Sequence, residues 1–287
     1  MDIVRIDYGS SEFPARLREI PNPPKEIYCT GALSLLYEKS VGVVGARKCT
    51  LYGKNVSLMI GRRLAESCIP VVSGLALGID AFSHEGALEE NGKTIGVLGS
   101  GIEVMGPVRN RKLMEKGLKS GGLVISEYPP GMPASKGFFP MRNRLISGIS
   151  DAVIVVEAGL NSGSLITAKH AAEQGRTVYA VPGNINSNSS IGCNLLIREG
   201  ALPLVVIDDV IREIGREPGS AAGEIQQLDS DEKKIFDSVI SRGGATMDEI
   251  SHDSGLSTAI VSALVTVMEI KGTVESYAGK IYPGQRS

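Results

Sequence analysis

Residues 41–48 read Val41-Gly42-Val43-Val44-Gly45-Ala46-Arg47-Lys48, and a helical period begins at Tyr52. A short, uninterrupted β-branched run marks a strand buried on both faces. The glycine after it supplies a tight turn. The same unit of apolar run, glycine turn and helical stretch recurs along the chain. The further runs are Pro70–Val72, Thr94–Leu98, Leu123–Ile125, Ala152–Val156, Thr177–Val181 and Leu204–Ile207. Helix-period segments such as Tyr52–Cys68, Ala81–Glu90 and Leu165–Gln174 lie between them. Strands alternating with helices predict an α/β fold with a doubly wound, mostly parallel sheet. Right-handed crossovers then gather the βα turns along one edge, where ligands of such sheets bind.

Composition agrees. The 287 residues are 42% hydrophobic, with 35 glycines and no tryptophan, which suits many strand–helix turns and excludes a disordered chain. No apolar run approaches the roughly 18 residues of a membrane span. The N-terminus lacks the charged-then-apolar pattern of a signal peptide, so a cytoplasmic location is expected. Cys29, Cys49, Cys68 and Cys193 show no C-x-x-C spacing, and His84, His170 and His252 do not sit beside them. Reduced, packed thiols are expected, with no metal site and no cofactor.

Charge is uneven. Residues 41–214 hold 18 Lys+Arg against 15 Asp+Glu, whereas residues 229–287 hold 6 against 9. A nucleic-acid site would lie in the first part. Residues 1–38 read as an ordered extension packed on the main domain, broken at Asn22-Pro23-Pro24, with a short strand at Glu26–Cys29. The main domain covers 39–214. Residues 215–227 read as a linker, since Gly215–Gly223 is rich in Gly, Pro, Ser and Ala. Residues 228–287 carry helical periods at Asp231–Ser241 and Met247–His252 and a turn at Ser254–Leu256. A third helix, capped by Ser257, runs to about Lys271, and Thr273–Tyr282 reads as a two-stranded wing turning at Ala278-Gly279. This is winged-helix spacing. The third helix has no Arg or Lys before Lys271, so a protein contact or an accessory role is expected there rather than duplex reading.

Several turns suit an anion. Ser73-Gly74-Leu75-Ala76-Leu77-Gly78-Ile79-Asp80 exposes backbone N–H groups at a helix start, or is a tight turn capped by Asp80. Gly99-Ser100-Gly101 is a weaker case. Glu157–Thr167 places Ser162, Gly163 and Ser164 at another helix start, able to cradle a phosphate or simply to cap the helix. No G-x-G-x-x-G or G-x-x-x-x-G-K-[ST] pattern occurs, which removes the main signature of dinucleotide binding and of P-loop chemistry. Arg142, Asn143 and Arg144 fall in the first two turns of a helix beginning near Pro140, where cations oppose the dipole by about 0.3–1 kcal/mol each. Lys136, Phe138 and Phe139 precede them. Cations beside an aromatic ring are the recipe for holding a single strand, although Glu157 or Asp151 could instead pair with the arginines. His84 reads as a hydrogen-bonded structural residue. Ser164 lacks a His/Asp partner, and Glu157 has no second carboxylate for acid–base work, so no catalytic residue is assigned.

The runs Val43–Arg47, Ser73–Leu88, Phe139–Arg144, Glu157–Ala168, Gly175–Gly183 and Gly192–Ile197 together resemble the DNA-processing protein A (DprA/Smf) family over about residues 12–210. The resemblance implies an extended Rossmann-like fold that dimerises. It implies sequence-independent binding of single-stranded DNA, protecting that strand and loading the RecA recombinase in natural transformation or recombination. It also implies the C-terminal winged helix. By motif, DNA-binding roles fall on Arg47, Lys136 and Phe139, with Lys48, Ser73, Gly74, Arg142, Asn143, Arg144, Ser162, Gly163 and Ser164 around them. Leu77 stands where the family often has arginine, and the N-terminal helical domain of some members is not expected. The rival reading is a nucleotide-binding or nucleotide-hydrolysing enzyme similar to the lysine-decarboxylase-like phosphoribohydrolases. Met141–Arg144 echoes one of their motifs, but Ile166 and Thr167 replace the glutamates of the other. A scaffold acting only through protein contacts is a third reading, against which the local basic cluster stands.

Overall fold

The computed structural model describes residues 2–104, 110–216, 229–270, 273–277 and 279–283. Two compact units emerge, one within residues 1–220 and one within 221–287. Most of the expected linker, and Ala278 of the expected wing turn, lie outside the described residues.

The larger unit is built on a nine-stranded sheet. Its strands are β1 (Val4–Asp7), β2 (Glu26–Gly31), β3 (Val41–Val44), β4 (Val71–Ser73), β5 (Thr94–Leu98), β6 (Leu123–Ser126), β7 (Ala152–Val155), β8 (Thr177–Ala180) and β9 (Leu202–Pro203). They run in the order β1-β2-β6-β5-β4-β3-β7-β8-β9. From β6 to β9 the pairings are parallel, and β1 and β2 add an antiparallel edge. Chain order reverses between β3 and β7, which are direct neighbours. That switch point opens a crevice at the strands' C-terminal ends.

The helices are α1 (Ala15–Arg18), α2 (Leu51–Glu66), α3 (Ile79–Glu89), α4 (Arg111–Lys119), α5 (Phe138–Ile149), α6 (Gly163–Glu173), α7 (Ile191–Arg198) and α8 (Ile207–Glu213). They cover both faces of the sheet. Ile60, Leu64, Ile79, Ala87, Val210 and Ile211 bury one face, and Leu17, Leu145, Ile149, Ala168, Ala171 and Cys193 bury the other. Double burial is why β3, β5 and β7 are apolar at nearly every position.

The expected strand at Leu204–Ile207 does not form. Pairing to β8 stops at Pro203, with one further bond from the Leu204 N–H to the Ala180 carbonyl. Val205 is 79% exposed, and Ile207 opens α8 with Asp208 and Asp209 in its first turn. Proline on a two-residue edge strand and acids at a helix start outweigh the apolar run. The apolar pattern also gives no sign of β1, α7 or α8.

The smaller unit has α9 (Ser230–Arg242), α10 (Met247–Ser254) and α11 (Thr258–Ile270), followed by an antiparallel pair, β10 (Val274–Tyr277) and β11 (Lys280–Pro283). Asp229 with Glu232, and Thr246 with Glu249, form capping boxes, while Gly243 and Gly255 end their helices in left-handed geometry. Ile235, Val239, Ile250, Val261, Val265 and Met268 form its core. Two helices, a third helix and a wing make a winged-helix domain.

Among the described residues no helix is long and apolar enough to cross a membrane, and no cluster of candidate metal ligands occurs. All four cysteines are free; Cys29 and Cys193 are buried, but Cys68 is exposed rather than packed.

His84, on α3, departs from the hydrogen-bonded residue expected. It is buried, and neither ring nitrogen meets a protein partner among the described residues. Burial holds its pKa down at about 4, against the ordinary 6.5. The unfolded chain therefore binds a proton at a pH where the folded chain does not. His84 leaves stability intact above pH 6.5 and erodes it as the pH falls from 6.5 towards 4, by up to about 1.4 kcal/mol per pH unit. Urea denaturation across that window should show this slope, and His84→Leu should remove about one proton from it. An unchanged slope in the variant would contradict the assignment.

Candidate nucleic-acid interface

The turn after β3 is held by its backbone. The Ala46 N–H donates to the Glu157 carbonyl at 2.8 Å, and the Ala46 carbonyl accepts from the Ile79 N–H at 3.2 Å. Gly78, at φ +79°, lets the next turn press against it, since a Cβ there would lie 2.3 Å from the Ala46 oxygen. The Glu157 carboxylate is buried and accepts from the Thr50 N–H at 2.9 Å and the Thr50 hydroxyl at 2.5 Å. Thr50 in turn caps α2 by accepting from the Gly53 N–H. Between these fixed points Arg47 and Lys48 project into solvent.

The facing wall is the start of α5. Phe139 is half-buried, and the Arg47 guanidinium carbon lies 5.5 Å from its ring centroid, a cation–π contact. Gly99 makes room for that ring: a Cβ there would come within 2.9 Å of it. Phe138 instead stacks on Tyr128, centroids 4.1 Å apart. Lys136 is exposed just before. The floor comes from the residues after β7. Ser162 caps α6 by accepting from the Ser164 N–H at 3.4 Å, the two hydroxyls lie 2.7 Å apart, and the Asn143 amide donates to the Gly163 carbonyl at 3.1 Å.

These walls enclose a cleft of about 750 Å³ at the β3/β7 switch point, lined among others by Arg47, Lys48, Lys136, Phe139, Arg142, Asn143, Ser162, Gly163 and Ser164. Nine of the twelve expected site residues thus meet at one place. Ser73, Gly74 and Arg144 do not line it. Ser73 is buried and donates its hydroxyl to the Val43 carbonyl. The Gly74 and Ala76 N–H groups both donate to the Asp80 carboxylate, at 3.1 and 3.4 Å. Asp80 therefore occupies the donors that the anion reading needed, and the turn is the capped one.

The two arginines of the R-N-R motif are also committed inward. Arg144 forms a two-pronged ion pair with Glu127 at 2.6 and 2.8 Å and donates to the Asn22 carbonyl at 2.9 Å. Its partner is neither Glu157 nor Asp151; Asp151 is held by Arg16 at 2.9 Å. Arg142 is buried, lies flat against Gly74, and donates to the Gly74 carbonyl at 3.0 Å and to the Val97 carbonyl. Burial lowers the Arg142 pKa to about 10; Asp80 opposes that shift and the like charge of Arg47 adds to it. It stays charged at neutral pH, beneath the cleft. Asp80 shifts upward through its own burial, with Arg142 opposing.

Comparison with known proteins follows the same division. Residues 5–215 match the family described as DNA recombination-mediator protein A, and residues 218–280 match the DprA winged helix domain. A putative DNA processing protein DprA of Mycobacterium tuberculosis is 35% identical over 275 residues, covering 93% of this chain and 70% of that protein. The X-ray structure of DNA processing protein A from Streptococcus pneumoniae is 40% identical, with TM-score 0.69, covering 74% of this chain and 75% of that one. A structure describing the single-stranded DNA binding mode of DNA processing protein A from Helicobacter pylori is 30% identical, with TM-score 0.66, covering 75% of this chain and 96% of that one.

Bracing and solvent-facing cations separate by stability. Glu127→Gln strands the buried Arg144 charge and should cost about 3–5 kcal/mol. Arg47→Ala, at an exposed position, should stay within about 0.5 kcal/mol of the parent. Urea denaturation checks both, and equal losses would contradict the division.

Proposed function

The chain belongs to the DNA recombination-mediator protein A family, and from that premise we propose that it binds single-stranded DNA, without sequence preference, in the cleft at the switch point. The observation that carries the reading is the Arg47 guanidinium over the Phe139 ring, with Lys48 and Lys136 exposed beside it. An aromatic face accepts any base, and flanking cations hold the phosphates whatever the sequence. Asn143, Ser162, Gly163 and Ser164 add small polar groups for the sugar–phosphate backbone. Arg142 contributes as a buried charge below the cleft, raising its potential without leaving its carbonyl partners. Arg144 serves the site by fixing α5 against Glu127.

The reading extends to the biological role. The protein works in the cytoplasm as a homodimer, shields an incoming or exposed single strand and loads the RecA recombinase onto it. The winged-helix unit is an accessory, since α11 carries Ala259, Ile260, Ala263 and Val267 at exposed positions and no cation from Thr258 to Ile270. No hydrolytic step is assigned. Ile166 and Thr167 line the cleft where a phosphoribohydrolase would need carboxylates. Glu157 is spent on Thr50, and Asp80 on backbone N–H groups.

Fluorescence anisotropy of a labelled oligo-dT over a salt series tests the reading. The parent should bind at low salt and weaken steeply as salt rises. Arg47→Ala/Lys136→Ala should bind at least tenfold more weakly, with a salt slope shallower by about 0.7 for each phosphate it no longer neutralises. Absence of binding by the parent at low salt would overturn the proposal.

A further inference from the structure

Another of the cation–aromatic pairs lies outside the cleft lining but close to it along the backbone. The Lys54 ammonium, one turn into α2, sits 5.1 Å from the ring centroid of Phe82 on α3. Both side chains are half-exposed. The pair is not needed to close the two helices on each other. α2 and α3 meet through glycines: a Cβ at Gly61 would lie 2.3 Å from the Ser83 oxygen, and one at Gly86 would lie 2.2 Å from the Leu58 oxygen.

Its position follows from the backbone around the cleft. The backbone of Gly78 abuts Arg47, since a Cβ on Gly78 would lie 2.6 Å from the Arg47 oxygen. The Phe82 N–H donates to the Gly78 carbonyl at 3.0 Å, so Phe82 stands one helical turn, about 5.4 Å of rise, beyond that contact. Lys54 follows Thr50 by one turn, its N–H donating to the Thr50 carbonyl at 3.0 Å. Phe139 with Arg47 and Phe82 with Lys54 are therefore two ring-and-cation pairs linked through one backbone contact.

We infer that Phe82 and Lys54 form a second stacking station for single-stranded nucleic acid leaving the cleft past Arg47. The inference rests on the single-strand reading above. The ring presents a face to one base and the ammonium holds the adjoining phosphate, the same division of labour as at Phe139 and Arg47. Glu85, three residues after Phe82, is the carboxylate that opposes phosphate here. Burial raises its pKa; Lys54 and Lys116 oppose that rise and Glu89 adds to it. Removing its charge should favour the strand.

The test is anisotropy with oligo-dT of increasing length. The parent should gain affinity as the strand grows beyond the cleft. Lys54→Gln/Phe82→Leu should match the parent on the shortest strands that bind, weaken about tenfold on long ones, and show a salt slope shallower by about 0.7 on the long strands. Phe82→Tyr should restore the long-strand affinity, and Glu85→Gln should tighten it. If the parent binds and the double variant follows its curve at every length, the pair is only a helix clamp and the inference falls. Loss of thermal stability with an unchanged length dependence leads to the same conclusion. If the parent binds no oligonucleotide at low salt, the single-strand reading falls and takes this one with it.

Discussion

Glu157 is the carboxylate on which the site depends. It stands where β7 ends and reaches across the switch point. Its backbone oxygen fixes the turn after β3, and its carboxylate fixes Thr50 at the start of α2. A buried carboxylate is tolerated only when its lone pairs are filled, and here Thr50 supplies two donors. Gly53 leaves the space, since a Cβ would lie 2.5 Å from the Glu157 oxygen. The exposed Arg47 and Lys48 lie between two anchored points, so their backbone is set before any ligand arrives. Preorganisation of that kind reduces the ordering cost of binding.

Cations divide by depth. Arg144 is matched by Glu127 in a two-pronged pair, and Arg142 is fed by carbonyl oxygens and faces Asp80 only electrostatically. Neither can swing out without leaving a buried group unpaired, which costs more than a surface phosphate contact returns. Arg47, Lys48 and Lys136 carry no such obligation among the described residues and lie at the rim. The buried layer fixes the shape of α5, and the exposed layer is the one the proposal assigns to the polyanion.

The alternation of apolar runs and glycine turns carried the sheet, its parallel sense and the edge at which the site lies. β3 and β5 match their apolar runs residue for residue, because burial on both faces leaves no polar position to blur the ends. The run at 204–207 misled, because apolar character does not distinguish an edge connection from a strand. The inward aim of Arg142 was present in the helix period: it shares the buried stripe of Leu145, Ile146 and Ile149. The partner of Arg144 was not legible, since Glu127 lies in the loop after β6 and no local spacing joins the two. The Lys54–Phe82 pair was hidden for the same reason, a contact between helices with no signature along the chain. The glycines at 78 and 99 stood in turns that the sequence offered to an anion, whereas each clears a path for one specific neighbour.

The central claim is that a single strand crosses the switch-point cleft over Phe139. Photocrosslinking of an oligonucleotide carrying 5-iododeoxyuridine, followed by peptide mapping, tests it most directly. The account predicts adducts on the peptide containing Phe139 and on the turn containing Arg47. Adducts confined to the winged-helix unit, with none between residues 41 and 167, would contradict it.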